Sequence, residues 1–171
     1  GTTDHSDLPD MQLGLTMDEI LSAKDYIKRA SCGVNESECC NSDDCKSKKK
    51  KVIVFQPFGS TAYHTEEGIY DKSVRSINHL FANRIAQELS KDYVLINMNG
   101  ANNFSGFNGT INFENDPDLR TWAAIIKEAD YFVGCDSCGQ HMAKAVGTPA
   151  SVFVGGTHEV NISYPDTFHI I

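Results

Sequence analysis

Positive charge is scarce in this chain. Its 15 lysines and arginines are outnumbered by 23 aspartates and glutamates, giving a formal net charge of −8 at pH 7. A general nucleic-acid binder presents a basic face, so that function is disfavoured. A nucleotide needs only a local donor pocket and is not excluded. Long apolar runs are also missing, and no stretch reaches the roughly 20 residues that a membrane-spanning helix requires. No signal-peptide pattern is visible, and the expected location is cytoplasmic. The six cysteines are not arranged as two C-x-x-C pairs, the spacing that would make a strong zinc motif. No Ser-His-Asp or paired-carboxylate site can be assembled from residue order alone.

What remains is an ordinary globular composition in 171 residues, enough for one domain with a sizeable core. Its most legible stretch is residues 130–149. Tyr131-Phe132-Val133-Gly134 reads as a buried strand. A polar turn, Cys135 to Gly139, leads into a helix over Gln140–Val146, which Gly147 stops and Pro149 blocks. Ala150 to Val154 is the next apolar run. Strand, turn, helix and strand form a βαβ unit, and the predicted class is α/β with a doubly wound parallel sheet.

The turn lies at the carboxyl end of a strand and the amino end of a helix. Free N–H groups and the helix dipole attract an anion there. Ser137 adds a hydroxyl donor, and Gly139 allows close approach to the backbone. Asp136 repels a bare phosphate but suits a ligand with hydroxyls beside its phosphates, as in a nucleotide sugar. Gln140 and His141 open the helix facing the same place. The competing reading is that Asp136 or Ser137 only caps the helix and His141 is a surface residue.

Asp136-Ser-Cys-Gly-Gln-His-Met-Ala-Lys-Ala-Val-Gly-Thr-Pro149 resembles the Asp-Ser/Thr-Gly-x-x-His-x-Ala-x-Ala-x-Gly-x-Pro signature of the heptosyltransferases. It matches at Asp136, Ser137, His141, Ala143, Ala145, Gly147 and Pro149, and departs at Cys138, where the family has glycine. The resemblance implies a Rossmann-like domain forming a single GT-B half, the C-terminal, donor-binding one. It implies transfer of a sugar, heptose-type, from a nucleotide diphosphate to an acceptor, with inversion. No cofactor or metal is required if helix N-termini and a lysine neutralise the diphosphate. Asp136 would hold sugar hydroxyls, Ser137 and the loop amides the phosphates, and His141 would support the loop or touch a phosphate.

Lys51 to Gln56 is the first strand of this domain, with an unbroken apolar centre suited to burial on both faces. The loop Pro57 to Ala62 follows. The resemblance makes Ser60 and Thr61 phosphate-side hydroxyls and Lys72 the diphosphate lysine, with Arg75 in reserve. The alternative for Lys72 is an exposed first-turn residue. Ser73 to Leu89 predicts a helix with a buried stripe of Val74, Ile77, Leu80, Phe81, Ile85 and Leu89. Tyr93–Asn97 and Thr110–Phe113 read as strands. Phe104 and Phe107, between them, could cover a nucleobase or anchor their loop. Asp116 and Pro117 start a helix in which Trp122 is a core residue. Phe168 to Ile171 reads as one more strand.

Residues 1–50 form a separate N-terminal region, and 51–171 form the nucleotide-sugar-binding domain. Gly1 to Gly14 is a polar arm. Thr16 and Glu19 make a capping box for a helix running to about Ala30. Cys32, Cys39, Cys40 and Cys45 then crowd into fourteen residues. Three readings stay open: a zinc site, two disulfides, or free thiols on a surface loop. Cys135 and Cys138 form a C-x-x-C at a helix start, where a redox pair is also conceivable.

No counterpart of the N-terminal acceptor domain, with its general base, is visible. Neither is the long C-terminal helix that crosses back in the resembled enzymes. The expected partners are therefore a nucleotide sugar and a missing acceptor domain or larger assembly, with no nucleic acid and no membrane span. The alternative is a GT-B-like binding or structural module that has lost turnover, with zinc as one source of its stability.

Overall fold

In chain order the elements are α1 (Met17–Cys32), β1 (Val52–Gln56), β2 (Ala62–Thr65), β3 (Gly68–Asp71), α2 (His79–Asp92), β4 (Val94–Met98), β5 (Ile111–Phe113), α3 (Leu119–Glu128), β6 (Tyr131–Cys135), α4 (Cys138–Val146), β7 (Ala150–Phe153) and β8 (His169–Ile170). They come from a computed structural model that describes residues 12–32, 50–98, 104–113, 118–158 and 162–171.

β1 lies in the middle of a six-stranded sheet of order β5-β4-β1-β6-β7-β8. Every pairing in that sheet is parallel. All five residues of β1 are buried, as a strand covered on both faces requires. Val52, Val54, Ile96, Phe132 and Val152 belong to the core formed with α1, α3 and α4. Ile53, Phe55, Leu95 and Val133 belong to the core formed with α2. This is the doubly wound α/β arrangement. The chain works outward from β1 through β4 to β5, then crosses back and works outward the other way through β6, β7 and β8. The reversal falls between β1 and β6.

The helices are built by local rules. Thr16 N–H and Oγ1 donate to Glu19 Oε2 at 2.6 and 2.9 Å, and Glu19 N–H returns to Thr16 Oγ1 at 3.3 Å. That is the capping box. α1 packs on α3, burying Ala23 and Ile27. Glu19 also pairs with Arg120 of α3, accepting from Nε at 2.5 Å and from Nη2 at 2.8 Å. α3 buries five consecutive residues, Trp122 to Ile126, so Trp122 is core. Gly147 closes α4 at φ 80°, in the left-handed region.

Two expectations need correction, and one unassigned segment acquires a structure. α2 starts at His79, capped by the Asn78 side chain, and not at Ser73. Leu80 and Phe81 are exposed, and the buried positions are the small Ala82 and Ala86, which bring the helix close to the sheet. Residues 62–71, to which the residue pattern assigns no element, form an antiparallel hairpin of β2 and β3. Finally, α3 is capped by Asp118, whose side chain accepts from Arg120 N–H. The expected cap, Asp116, and Pro117 lie outside the described residues.

Candidate functional site

The carboxyl ends of β1 and β6 meet where the strand order reverses, the usual ligand crevice of an open parallel sheet. β1 ends there in Gln56, followed by Pro57-Phe58-Gly59. β6 ends in Cys135, followed by Asp136-Ser137 and the start of α4.

Asp136 and Ser137 are buried. The Asp136 carboxylate accepts from Gln140 Nε2 on one oxygen and from Thr157 Oγ1, in the loop after β7, on the other. Ser137 is the N-cap residue of α4 by position, yet its side chain makes no capping bond. Its hydroxyl faces Gly59 instead: a Cβ on Gly59 would lie 3.8 Å from Ser137 Oγ. Gly139 is also buried. A Cβ there would stand 2.0 Å from Gln56 Oε1 and 2.6 Å from Phe132 Cζ, so the space its missing side chain leaves is filled by the protein itself. His141 is exposed and its Nδ1 lies 2.7 Å from the Tyr164 hydroxyl.

The loop after β1 is organised by Asp71, at the end of β3. Thr61 Oγ1 donates to Asp71 Oδ1 at 2.6 Å and Ser76 Oγ to Oδ2 at 2.6 Å. Ser73 donates from both N–H and Oγ, at 2.9 and 2.7 Å, and Ser76 N–H adds a further bond at 3.0 Å. Burial works to raise the pKa of Asp71. The hydroxyls of Ser76, Thr61 and Ser73 outweigh it and hold the carboxyl well below its usual range. Ser76 Oγ in turn accepts from Gly59 N–H at 2.9 Å, and Ile77 N–H reaches Pro57 O at 2.8 Å. Ser60 and Lys72 are exposed, and Arg75 is half-buried.

A third loop, after β7, meets the segment between β3 and α2. Gly156 N–H donates to Val74 O at 2.9 Å. A Cβ on Gly155 would come within 2.3 Å of that same oxygen. Val74 itself has φ 54°, a conformation that a β-branched residue rarely takes. Beside the crevice, Phe58, His79, Phe104 and Phe107 form an aromatic wall, with Phe58 stacked on His79 and Phe107 buried. Those contacts anchor the loop that carries Phe104 and Phe107.

Asp136, Ser137, Gly139, Gln140 and His141 thus gather at the β6–α4 turn, and Thr61 lies on the neighbouring β1 loop. The residue order missed Asp71, Ser73, Ser76, Gln56 and Thr157. Asp71-x-Ser73, a carboxylate that can bond the backbone two residues on, was the available signal. Cys135 and Cys138 are both free thiols. Burial pushes the Cys135 thiol up to about 12, which leaves it protonated and unsuited to thiolate redox chemistry. Among the described residues no group of three or more His, Cys, Asp or Glu is placed to hold a metal. Cys39, Cys40, Cys45 and the side chain of Cys32 lie outside them. No described helix is long and apolar enough to cross a membrane.

No protein-family profile matches the sequence, and no curated protein does. Among solved structures, the chain superposes on E. coli ADP-heptose LPS heptosyltransferase II with a TM-score of 0.58 at 16% identity. The fold is heptosyltransferase-like. The match covers 94% of this chain and 44% of that one, so the chain spans less than half of its neighbour's length. The six-stranded parallel sheet with helices on both faces is consistent with one half of a GT-B enzyme. At this identity the likeness is one of fold, and the site residues rest on the geometry above.

Proposed function

We propose that the chain is the donor-binding half of a GT-B glycosyltransferase. It takes a nucleotide-diphosphate sugar, heptose-type, for transfer to an acceptor held by a second domain. The observation that carries this reading is the position of the Asp136–Pro149 signature. It forms the turn and helix at the carboxyl end of β6, beside the strand reversal, in a chain with a heptosyltransferase-like fold. In this reading the Ser137 hydroxyl and the first N–H groups of α4 face the diphosphate. Ser60 and Thr61 flank it from the β1 loop. The exposed Lys72 supplies positive charge, and no metal is required. Asp136, fixed by Gln140 and Thr157, presents its remaining lone pairs to sugar hydroxyls, and His141 stays on Tyr164 as a support. The acceptor and the general base belong to the second domain.

Calorimetric titration with ADP, UDP and GDP tests this. Saturable binding of one nucleotide, weakened in Asp136→Ala and Ser137→Ala, is the expected result. A folded protein that binds none of the three sinks the donor-domain reading.

A second reading has its own support. The Asp136 carboxylate is already engaged by two protein donors, and Cys138 stands where the resembled family has glycine. Both suit a binding or structural module that keeps the fold without turnover. Zinc held by Cys32, Cys39, Cys40 and Cys45 would stabilise such a module, and zinc quantified in the same preparation tests that part.

A further inference from the structure

The shell around Asp71 is built like an anion site. Three hydroxyls, of Thr61, Ser73 and Ser76, and two backbone N–H groups, of Ser73 and Ser76, converge on one carboxylate. Hydroxyls and turn amides in this number are the donor set that holds phosphate oxygens. The anion they hold here is the chain's own. Its location matters as much as its partners. A Cβ built on Gly59 would lie 3.8 Å from Asp71 Oδ2, 3.8 Å from Ser137 Oγ and 3.9 Å from Ser76 Oγ. The carboxylate therefore shares one small space with the residue that starts α4. Thr61, a phosphate-side hydroxyl by the resemblance, spends its proton on Asp71.

We infer that Asp71 is a specificity-determining residue of this site: an internal anion that competes with the diphosphate of a bound donor for the hydroxyls and amides of the β1 and β3–α2 loops. The inference rests on the donor-site reading above. Its chemistry is direct. A fixed negative charge beside the α4 N-terminus lowers the affinity for a second one, and it keeps the five donors occupied until a ligand with enough contacts of its own displaces it. The nucleoside and sugar portions then carry more of the binding than the diphosphate does. Removing the charge reverses that order.

The experiment is calorimetric titration of inorganic pyrophosphate, ADP and adenosine into wild type, Asp71→Asn and Asp71→Ser, in EDTA so that no cation bridges two anions. Pyrophosphate and ADP should bind Asp71→Asn about tenfold more tightly than wild type, a change of about 1.4 kcal/mol, while adenosine is unaffected. A purely structural role for Asp71 predicts the opposite, a loss. Equal or weaker pyrophosphate binding by a variant that keeps the wild-type near-UV circular dichroism overturns the inference. So does the absence of pyrophosphate binding by every folded form. If neither variant folds, wild type decides: ADP should outbind adenosine by less than about tenfold, and a larger preference overturns the inference. Tighter pyrophosphate binding by Asp71→Asn without binding of ADP, UDP or GDP by any form upholds the internal anion and rejects the nucleotide reading. Unchanged ADP affinity in Asp71→Asn, with a loss in Asp136→Ala, does the reverse.

Discussion

Gln140, one helical turn after Asp136, donates its Nε2 proton to the Asp136 carboxylate at the base of the β1–β6 crevice. Thr157 takes the other oxygen from the loop after β7. The residue assigned to sugar hydroxyls is therefore also a tie between α4 and that loop. One buried donor, on Gln140, and one half-buried donor, on Thr157, depend on it, and leaving a buried group unpaired typically costs about 1–3 kcal/mol.

Asp136→Ala should consequently unfold at lower urea, with a loss of about 1–3 kcal/mol, as well as lose ligand. Asp136→Asn, which keeps an acceptor oxygen, should lose less. A carboxylate with a ligand role alone would leave the urea midpoint of both variants at the wild-type value.

The Glu19–Arg120 pair makes the docking of α1 on α3 sensitive to acid. The Arg120 hydrogen bonds, then the Thr16 amide, lower Glu19 from 4.5 to about 2. A folded pKa below the unfolded one means stability that is present above about pH 4.5 and lost as pH falls toward 2. Wild type should lose stability across that window, and Glu19→Gln should lose less of it. Denaturant midpoints measured at several pH values check this, and parallel curves for the two proteins would contradict it. Because both groups reach solvent, added salt should weaken the effect.

Gly139→Ala forces a methyl against Gln56 Oε1 and the Phe132 ring. The amide can move, but the ring is fully buried. Overpacking of this kind costs about 1–3 kcal/mol. Gly147→Ala meets no atom within 4 Å but sits at φ 80°, and should cost about 1 kcal/mol through backbone strain alone. Thermal unfolding of the two variants separates steric from conformational cost. Only Gly139→Ala should also disturb ligand binding.

Val74→Gly should stabilise the protein. The side chain is 66% exposed, so little burial is lost. The left-handed backbone costs on the order of 1–3 kcal/mol in a residue with a Cβ, which exceeds the roughly 0.5–1 kcal/mol that glycine adds through chain entropy. A net gain near 1 kcal/mol raises the melting temperature by about 2–4 °C in a chain of this size. A lower melting temperature would mean that the Val74 side chain holds its loop against Gly156.

The sheet could be read from the sequence because its strands are apolar at nearly every position, and β1 and β6 stand out on that ground alone. The same holds for Gly147 and the Thr16–Glu19 box, whose chemistry is local. The segment between β1 and α2 was illegible for a physical reason. Val74, Ile77, Leu80 and Phe81 carry helical spacing, but Asp71 binds the amides of Ser73 and Ser76 and diverts them from helix formation. The helix waits for Asn78. Within the site, the Asp136–His141 turn was visible as a motif. The Asp71 shell was not, because its members come together only when the hairpin folds back on the β1 loop.

The central position of β1 also governs how the protein is made. Its backbone is tied to residues far along the chain: Val52 N–H donates to Asp130 Oδ2, 78 positions later, at 2.8 Å. β1 is synthesised before its β6 neighbour, which is complete only at Cys135. At ribosomal speeds of roughly 5–20 residues per second, that gap is about 4–16 seconds. Through that interval one edge of the most apolar strand has no partner. Sheets joined by such distant contacts fold slowly, and nascent chains of this protein should depend on holdase chaperones until β6 arrives.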